Sequence, residues 1–158
     1  RLGSADPSWK LIIKGKNPRD IEFMKAPNRS NEMKYYDEQF KRIENDPILN
    51  SAVKWDEYSI SLSSWYRKIG FVLSPSDFES FHYSIADGVA SGAIPIIWPW
   101  DGAKEIYTGD WVVTDTEEAS KEILSFDMDS ETIMENRELV TQKYGFEVIF
   151  SKLENEMW

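Results

Sequence analysis

Phe71-Val72-Leu73-Ser74-Pro75-Ser76-Asp77-Phe78-Glu79-Ser80-Phe81-His82-Tyr83-Ser84-Ile85-Ala86-Asp87-Gly88-Val89-Ala90-Ser91-Gly92-Ala93-Ile94-Pro95-Ile96-Ile97 is the stretch that decides the fold. Its first three residues are all apolar and stop at Ser74-Pro75-Ser76, as expected of a strand covered on both faces. Phe81, Ile85 and Val89 then recur at i, i+4 and i+8, with Ala86 and Ala90 beside them, which predicts a helix ending at Ser91-Gly92. Ala93 to Trp98 reads as a second buried strand. Strand, helix and strand in this order form a βαβ unit, whose two strands pair in parallel.

The same rhythm runs outward in both directions. Trp9 to Ile13 reads as a strand closed by Gly15 and a polar loop containing Pro18. Asn28 to Asn45 predicts a helix, capped by Asn28 or Ser30, with Tyr36, Phe40 and Ile43 on its apolar face. A short strand at Val53-Lys54-Trp55 and a short helix from Leu62 to Ile69 precede the central unit. After it, Asp101 is placed to cap a short helix through Tyr107, and Trp111-Val112-Val113 reads as a further strand. Thr114-Asp115-Thr116-Glu117 fits a capping box ahead of a helix to Ser125, and helical stretches from Ser130 to Tyr144 and Phe146 to Met157 follow. Five strands alternating with helices, with no repeat or low-complexity tract, predict an α/β fold: a doubly wound parallel sheet in three layers. Ligands of such sheets sit beyond the carboxyl ends of the strands, so function is expected in the loops after Ile13, Trp55, Leu73, Ile97 and Val113.

Composition narrows the chemistry. The chain has 158 residues, which sets an expectation of a single domain over 1–158 with a core large enough to need no staples. Hydrophobic residues make up 41%, so disorder is excluded as a general reading. With 18 Lys and Arg against 28 Asp and Glu, the formal charge of −10 argues against a nucleic-acid or anionic-membrane surface, where a basic face must displace counterions. No Cys and one His leave no disulfide, no cysteine nucleophile and no thiolate or imidazole cluster for a metal. The absence of disulfides fits a cytoplasmic setting. The sequence opens at Arg1 and enters an apolar run by Trp9, from which a piece of a longer protein is expected.

Ser74 to Ile96 resembles the E-x7-E region of retaining GT-B glycosyltransferases of the glycosyl transferases group 1 type, usually written P-S-x-x-E-x-F-G-x-x-x-x-E-A-x-A-x-G-x-P-V. Glu79 and Asp87 fall at the two acidic positions. Val53-Lys54-Trp55 with Leu62 and Tyr66 is similar to the family's preceding strand and helix, and Gly102, Glu105 and Ile106 to its G-x-x-E-I segment. The resemblance covers about Trp9 to Leu153. It implies a Rossmann-like domain, the C-terminal donor-binding half of a GT-B enzyme, in which Glu79 serves the donor sugar's hydroxyls as the catalytic-site carboxylate and Asp87 serves the nucleotide ribose. It also implies transfer of a hexose from a nucleotide-sugar to an acceptor hydroxyl, in cell-surface polysaccharide or glycoconjugate synthesis. The acceptor would be held by an N-terminal domain outside this chain, which would also make any peripheral membrane contact. No cofactor and no metal are implied; the nucleotide-sugar is the substrate.

The residue types suit that chemistry. A helix start presents unpaired N–H groups and a partial positive charge, so Ser80, Phe81 and His82 are candidate backbone donors to a diphosphate. A carboxylate accepts from paired vicinal hydroxyls, and Glu79 and Asp87 would stand about 12 Å apart on one continuous helix. The plainer alternative makes Glu79 a favourable residue at a helix N-terminus and Asp87 a solvated one.

Three departures from the family pattern stand out. Asp87 is one methylene shorter than the usual Glu, His82 replaces the usual Gly, and Glu57 stands where Gly is usual after the second strand. His82 is either a satisfied structural residue or a ring that narrows the donor pocket. The family's pyrophosphate-gripping Arg and Lys lie before the strand that here begins at Trp9. Lys16, with Lys14 and Arg19, clusters at the carboxyl end of the first strand and is the candidate phosphate contact, against the plainer reading of solvated loop charge. Trp98-Pro99-Trp100 can wall a sugar ring or base, or pack against a neighbouring domain. Asp127-Met128-Asp129 is better explained by helix capping than by metal binding. The competing functional class is a non-catalytic Rossmann- or flavodoxin-like binding or scaffold module. The first strand lacks the G-x-G-x-x-G of dinucleotide folds, and neither the first nor the third has the acidic residues of a receiver domain.

Overall fold

The computed structural model describes residues 6, 8–57, 61–127 and 129–157 of a mixed α/β chain. It divides into two compact units, Arg1–Ile60 and Ser61–Trp158.

In the first unit β1 (Leu11–Lys14) pairs in parallel with β2 (Val53–Asp56), Leu11 opposite Val53 and Lys14 opposite Asp56. The connection holds three 3-10 turns, then α1 (Ser30–Asn45) and α2 (Pro47–Ala52). Neither Asn28 nor Ser30 caps α1. Pro27 fixes its own φ near the helical value, so the 3-10 turn Pro27–Arg29 runs directly into the helix and Ser30 is already helical. Asp46 does cap α2, accepting from the N–H of Ile48 and Leu49 at 2.8 and 3.1 Å. Trp55 Nε1 donates to the Gly15 carbonyl at 2.7 Å, and its ring lies 5.8 Å from that of Phe40.

The second unit carries α3 (Ser63–Tyr66), β3 (Phe71–Ser74), α4 (Tyr83–Ala90), β4 (Ile94–Ile97) and α5 (Ala103–Ile106). It continues through α6 (Thr116–Ser125), α7 (Ser130–Tyr144) and α8 (Phe146–Met157). β3 and β4 are parallel, Phe71 opposite Ile94 and Ser74 opposite Ile97, with α4 as the crossover. Ile85 and Val89 of α4 are fully buried with Val72, Ile97, Trp100 and Trp111 in one core. The helix approaches the sheet closely at Gly88, where an added Cβ would lie 2.9 Å from Val72. Its end is a Schellman arrangement: Gly92, at φ 103°, donates to the Val89 carbonyl, and Ala93 donates to that of Gly88, both at 2.9 Å.

Several expected boundaries move, each for a local reason. Leu62 to Ile69 contracts to the single turn of α3. Asp101 does not cap α5; Gly102, at φ 93°, turns the chain into it. Trp111-Val112-Val113 is not a full strand. Thr108 caps a 3-10 turn, Gly109–Trp111, and only Val112 bridges Ile97, with the Val113 N–H reaching the Ile97 carbonyl at 2.9 Å. Asp115 then starts α6, leaving no room for more pairing; it accepts from the N–H of Glu117 and Glu118 at 2.7 and 2.9 Å. The expected box is shifted by one: Glu118 reaches back to both N–H and hydroxyl of Thr114, each at 2.6 Å.

Candidate functional site

β3 delivers Ser74 to the carboxyl edge of its sheet, where the residue is fully buried and its carbonyl accepts from the Trp98 N–H at 2.9 Å. Its hydroxyl meets His82 Nδ1 at 2.5 Å. Glu79 Oε1 lies 3.7 Å from the same nitrogen and accepts from the Ser76 hydroxyl at 2.8 Å. The loop from Ser74 to His82 is thus folded back on itself, with one imidazole nitrogen, Nδ1, close to both a strand-end hydroxyl and a carboxylate. Both acidic and imidazole side chains are partly exposed, Glu79 at 28% and His82 at 17%, so the carboxylate is open to a ligand while being held by Ser76.

His82 is the one non-glycine residue with positive φ among the described residues, at φ 58° and ψ 68°. An L side chain in this left-handed region costs roughly 1–2 kcal/mol, which explains why glycine suits the position. Here the conformation is held from outside the loop. The Tyr107 hydroxyl donates to the carbonyls of Phe81 and His82 at 2.8 and 3.0 Å. Tyr107 is buried, and burial pushes its phenol pKa well above the ordinary value, with the neighbouring Tyr144 adding to the shift.

The left-handed turn also shifts the helix start. α4 begins at Tyr83, and the Ile85 N–H already donates to the His82 carbonyl at 3.0 Å. The first-turn N–H groups are therefore those of Tyr83 and Ser84, not those of Ser80 and Phe81, which precede the helix. His82 stays at the mouth as the N-cap residue. Ser80 is exposed, whereas the Phe81 ring packs at 4.8 Å from both the Tyr83 and Tyr144 rings. Because residues 79–82 are not helical, the 12 Å spacing expected for Glu79 and Asp87 on one helix does not apply. Asp87 is exposed on α4, one turn beyond the exposed Tyr83 and on the same face.

Ser74, Ser76, Tyr83 and Tyr107 join the loop in the structure without any motif in the sequence that marks them as site residues. Ser74 and Ser76 are legible only as a strand stop, and Tyr107 reaches the loop from beyond β4 in the sequence. Lys16 is exposed after β1 in the first unit, and Arg19 there is engaged by Asp37 at 2.8 Å and lies over the Phe40 ring at 4.3 Å. Trp100 is buried in the core, so of the Trp98-Pro99-Trp100 run only Trp98 and Pro99 retain exposed surface. Asp129 caps α7 through the Thr132 N–H at 2.8 Å, a bond that lowers its pKa; Met128 of the same string lies outside the described residues. Among the described residues no group of three His, Asp or Glu side chains is placed to hold a metal ion. No helix among them is long and apolar enough to cross a membrane.

Comparison of the chain with family models, curated proteins and solved structures finds no match.

Proposed function

We propose that this chain is the donor-binding domain of a retaining, sugar-nucleotide-dependent glycosyltransferase, half of a GT-B architecture. The observation that carries the reading is the loop at the end of β3, where Glu79 is held by Ser76 beside His82, directly ahead of the start of α4. The order Ser76, Glu79, Phe81, Asp87 that resembles the family's signature thus coincides with a strand end, a carboxylate at the mouth and an exposed helix face. Parallel pairing of β1 with β2 in one unit and of β3 with β4 in the other, as two two-stranded sheets, supports the α/β class, from which the doubly wound, three-layered sheet is proposed.

In this reading the diphosphate of the donor sits on the N–H groups of Tyr83 and Ser84, where the positive end of α4 favours an anion. Glu79 accepts from the hexose hydroxyls and Asp87 from the ribose. Fixed donors at the diphosphate stabilise charge that develops on the leaving group, which accelerates transfer to the acceptor hydroxyl. The acceptor and the remaining catalytic groups belong to a partner domain, and the reaction faces the cytoplasm, where nucleotide-sugars are the activated donors.

Two substitutions separate the roles. Glu79→Gln should weaken binding of a sugar-nucleotide while leaving the matching nucleoside diphosphate unchanged, and Asp87→Asn should weaken both, read by calorimetric titration against a panel of bases. Equal binding of sugar-nucleotide and nucleoside diphosphate to wild type and to both variants would contradict the assignment.

A further inference from the structure

We propose that Tyr107 is a positioning residue of the donor site, acting through the backbone of the left-handed turn at His82; this rests on the donor-domain reading above. Three observations converge on it. His82 holds a conformation that L residues rarely adopt, immediately before the N–H groups of Tyr83 and Ser84. One hydroxyl, Tyr107 Oη, donates to both carbonyls of that turn, Phe81 at 2.8 Å and His82 at 3.0 Å. The donor itself is immobilised: the Tyr107 ring is buried, 6.0 Å from the ring of Trp111 and 5.9 Å from that of Phe81.

The geometry fits positioning better than bulk stability. Ring packing alone would be served as well by phenylalanine, whereas the hydroxyl is aimed at the two carbonyls that fix the peptide planes entering α4. Those planes set where the Tyr83 N–H points. The His82 side chain contributes a second restraint through Ser74, so the turn is held by its backbone from one side and by its ring from the other. A glycine at position 82 would enter the left-handed region without the steric cost, and the clamp would then have little left to enforce.

That non-additivity is the test. Tyr107→Phe and His82→Gly, singly and together, are titrated with inorganic pyrophosphate, and amide exchange of residues 80–84 is followed by NMR in the same samples. Tyr107→Phe alone should speed exchange in the turn and lower pyrophosphate affinity about threefold to tenfold, the scale of one lost hydrogen bond. Added to His82→Gly, the same substitution should change affinity less than about twofold, a coupling that two independent structural losses do not produce. Equal losses in both backgrounds, or unchanged exchange at residues 80–84, overturn the positioning role and leave the donor reading standing. Failure of the wild-type chain to bind pyrophosphate at any millimolar concentration overturns both.

Discussion

Gly88→Ala tests how tightly the candidate site is anchored to its sheet. A Cβ at this position would stand 2.9 Å from both Cβ and Cγ1 of Val72 and 3.0 Å from its Cγ2. All three atoms belong to a β-branched side chain with little χ1 freedom, on a strand whose residue 72 is buried, so the contact cannot be relieved by swinging a flexible end aside. Relief requires α4 to lift from β3. Overpacking of this kind costs about 1–3 kcal/mol, and close contact with three atoms argues for the upper half of that range. Replacing a mid-helix glycine by alanine returns up to about 1 kcal/mol. The net expectation is a loss of about 1–2 kcal/mol, which for a chain of this size lowers the melting temperature by roughly 2–8 °C. Thermal melting by circular dichroism measures it. Val72→Ala in the same chain removes two of the three close contacts, those of Cγ1 and Cγ2, while the Cβ contact stays, so the double variant should lose less than the sum of the two single losses. A higher melting temperature for Gly88→Ala, or simple additivity, would refute the close approach of α4 to β3.

Three further outcomes follow from single groups. Asp115→Ala removes the acceptor for two N–H groups at the start of α6 and should cost about 1 kcal/mol, whereas Asp115→Asn should cost less; chemical denaturation of the three proteins compares them. The Thr132 N–H bond holds the Asp129 carboxyl below its ordinary pKa, so its stabilising contribution is complete above the unfolded value near pH 4 and is lost as pH falls through the lower folded value. Carboxyl NMR titration should find it among the last Asp groups to protonate, and a titration at or above the ordinary value would contradict the cap. Tyr107 has the opposite sign: its raised pKa leaves it neutral above about pH 10, where an unfolded tyrosine ionises, so the chain loses stability as pH rises beyond that point. Melts from pH 9 to 11 should show a fall that Tyr107→Phe reduces.

The central βαβ unit was legible because its periods are unambiguous: three apolar residues before a polar stop, then Ile85 and Val89 one turn apart. The start of α4 was not, and the reason lies in Phe81. It continues the helical spacing of Ile85 and Val89, yet it precedes the helix and its partly buried ring packs against Tyr107 and Tyr144 from elsewhere in the chain as well as against Tyr83. His82 in place of glycine was visible as a departure, but nothing in a histidine announces a left-handed backbone, since that is imposed by Tyr107 25 residues away. The same limit applies to Trp98 and Trp100, adjacent to one proline and equivalent on paper, of which Trp100 is in the core. The cap at Asp129 was legible and the one ahead of α6 was one residue out, because Asp115 takes the role expected of Thr114; the caps expected at Asn28 or Ser30 and at Asp101 do not form, because Pro27 and Gly102 set the backbone at those helix starts. Glu79 lies in the loop after β3, ahead of α4 rather than on it, and its restraint by Ser76 is a tertiary detail of a loop whose sequence shows only turn residues.

The most direct test of the account is a two-dimensional amide NMR titration of the chain with nucleoside diphosphates and their sugars, followed residue by residue, because millimolar binding remains visible there. The account predicts shifts concentrated at Ser80 to Asp87, strongest at Tyr83 and Ser84, for one nucleotide above the others and diminished by Asp87→Asn. Saturable shifts concentrated elsewhere in the chain, or none with any nucleotide or nucleotide-sugar, would contradict it.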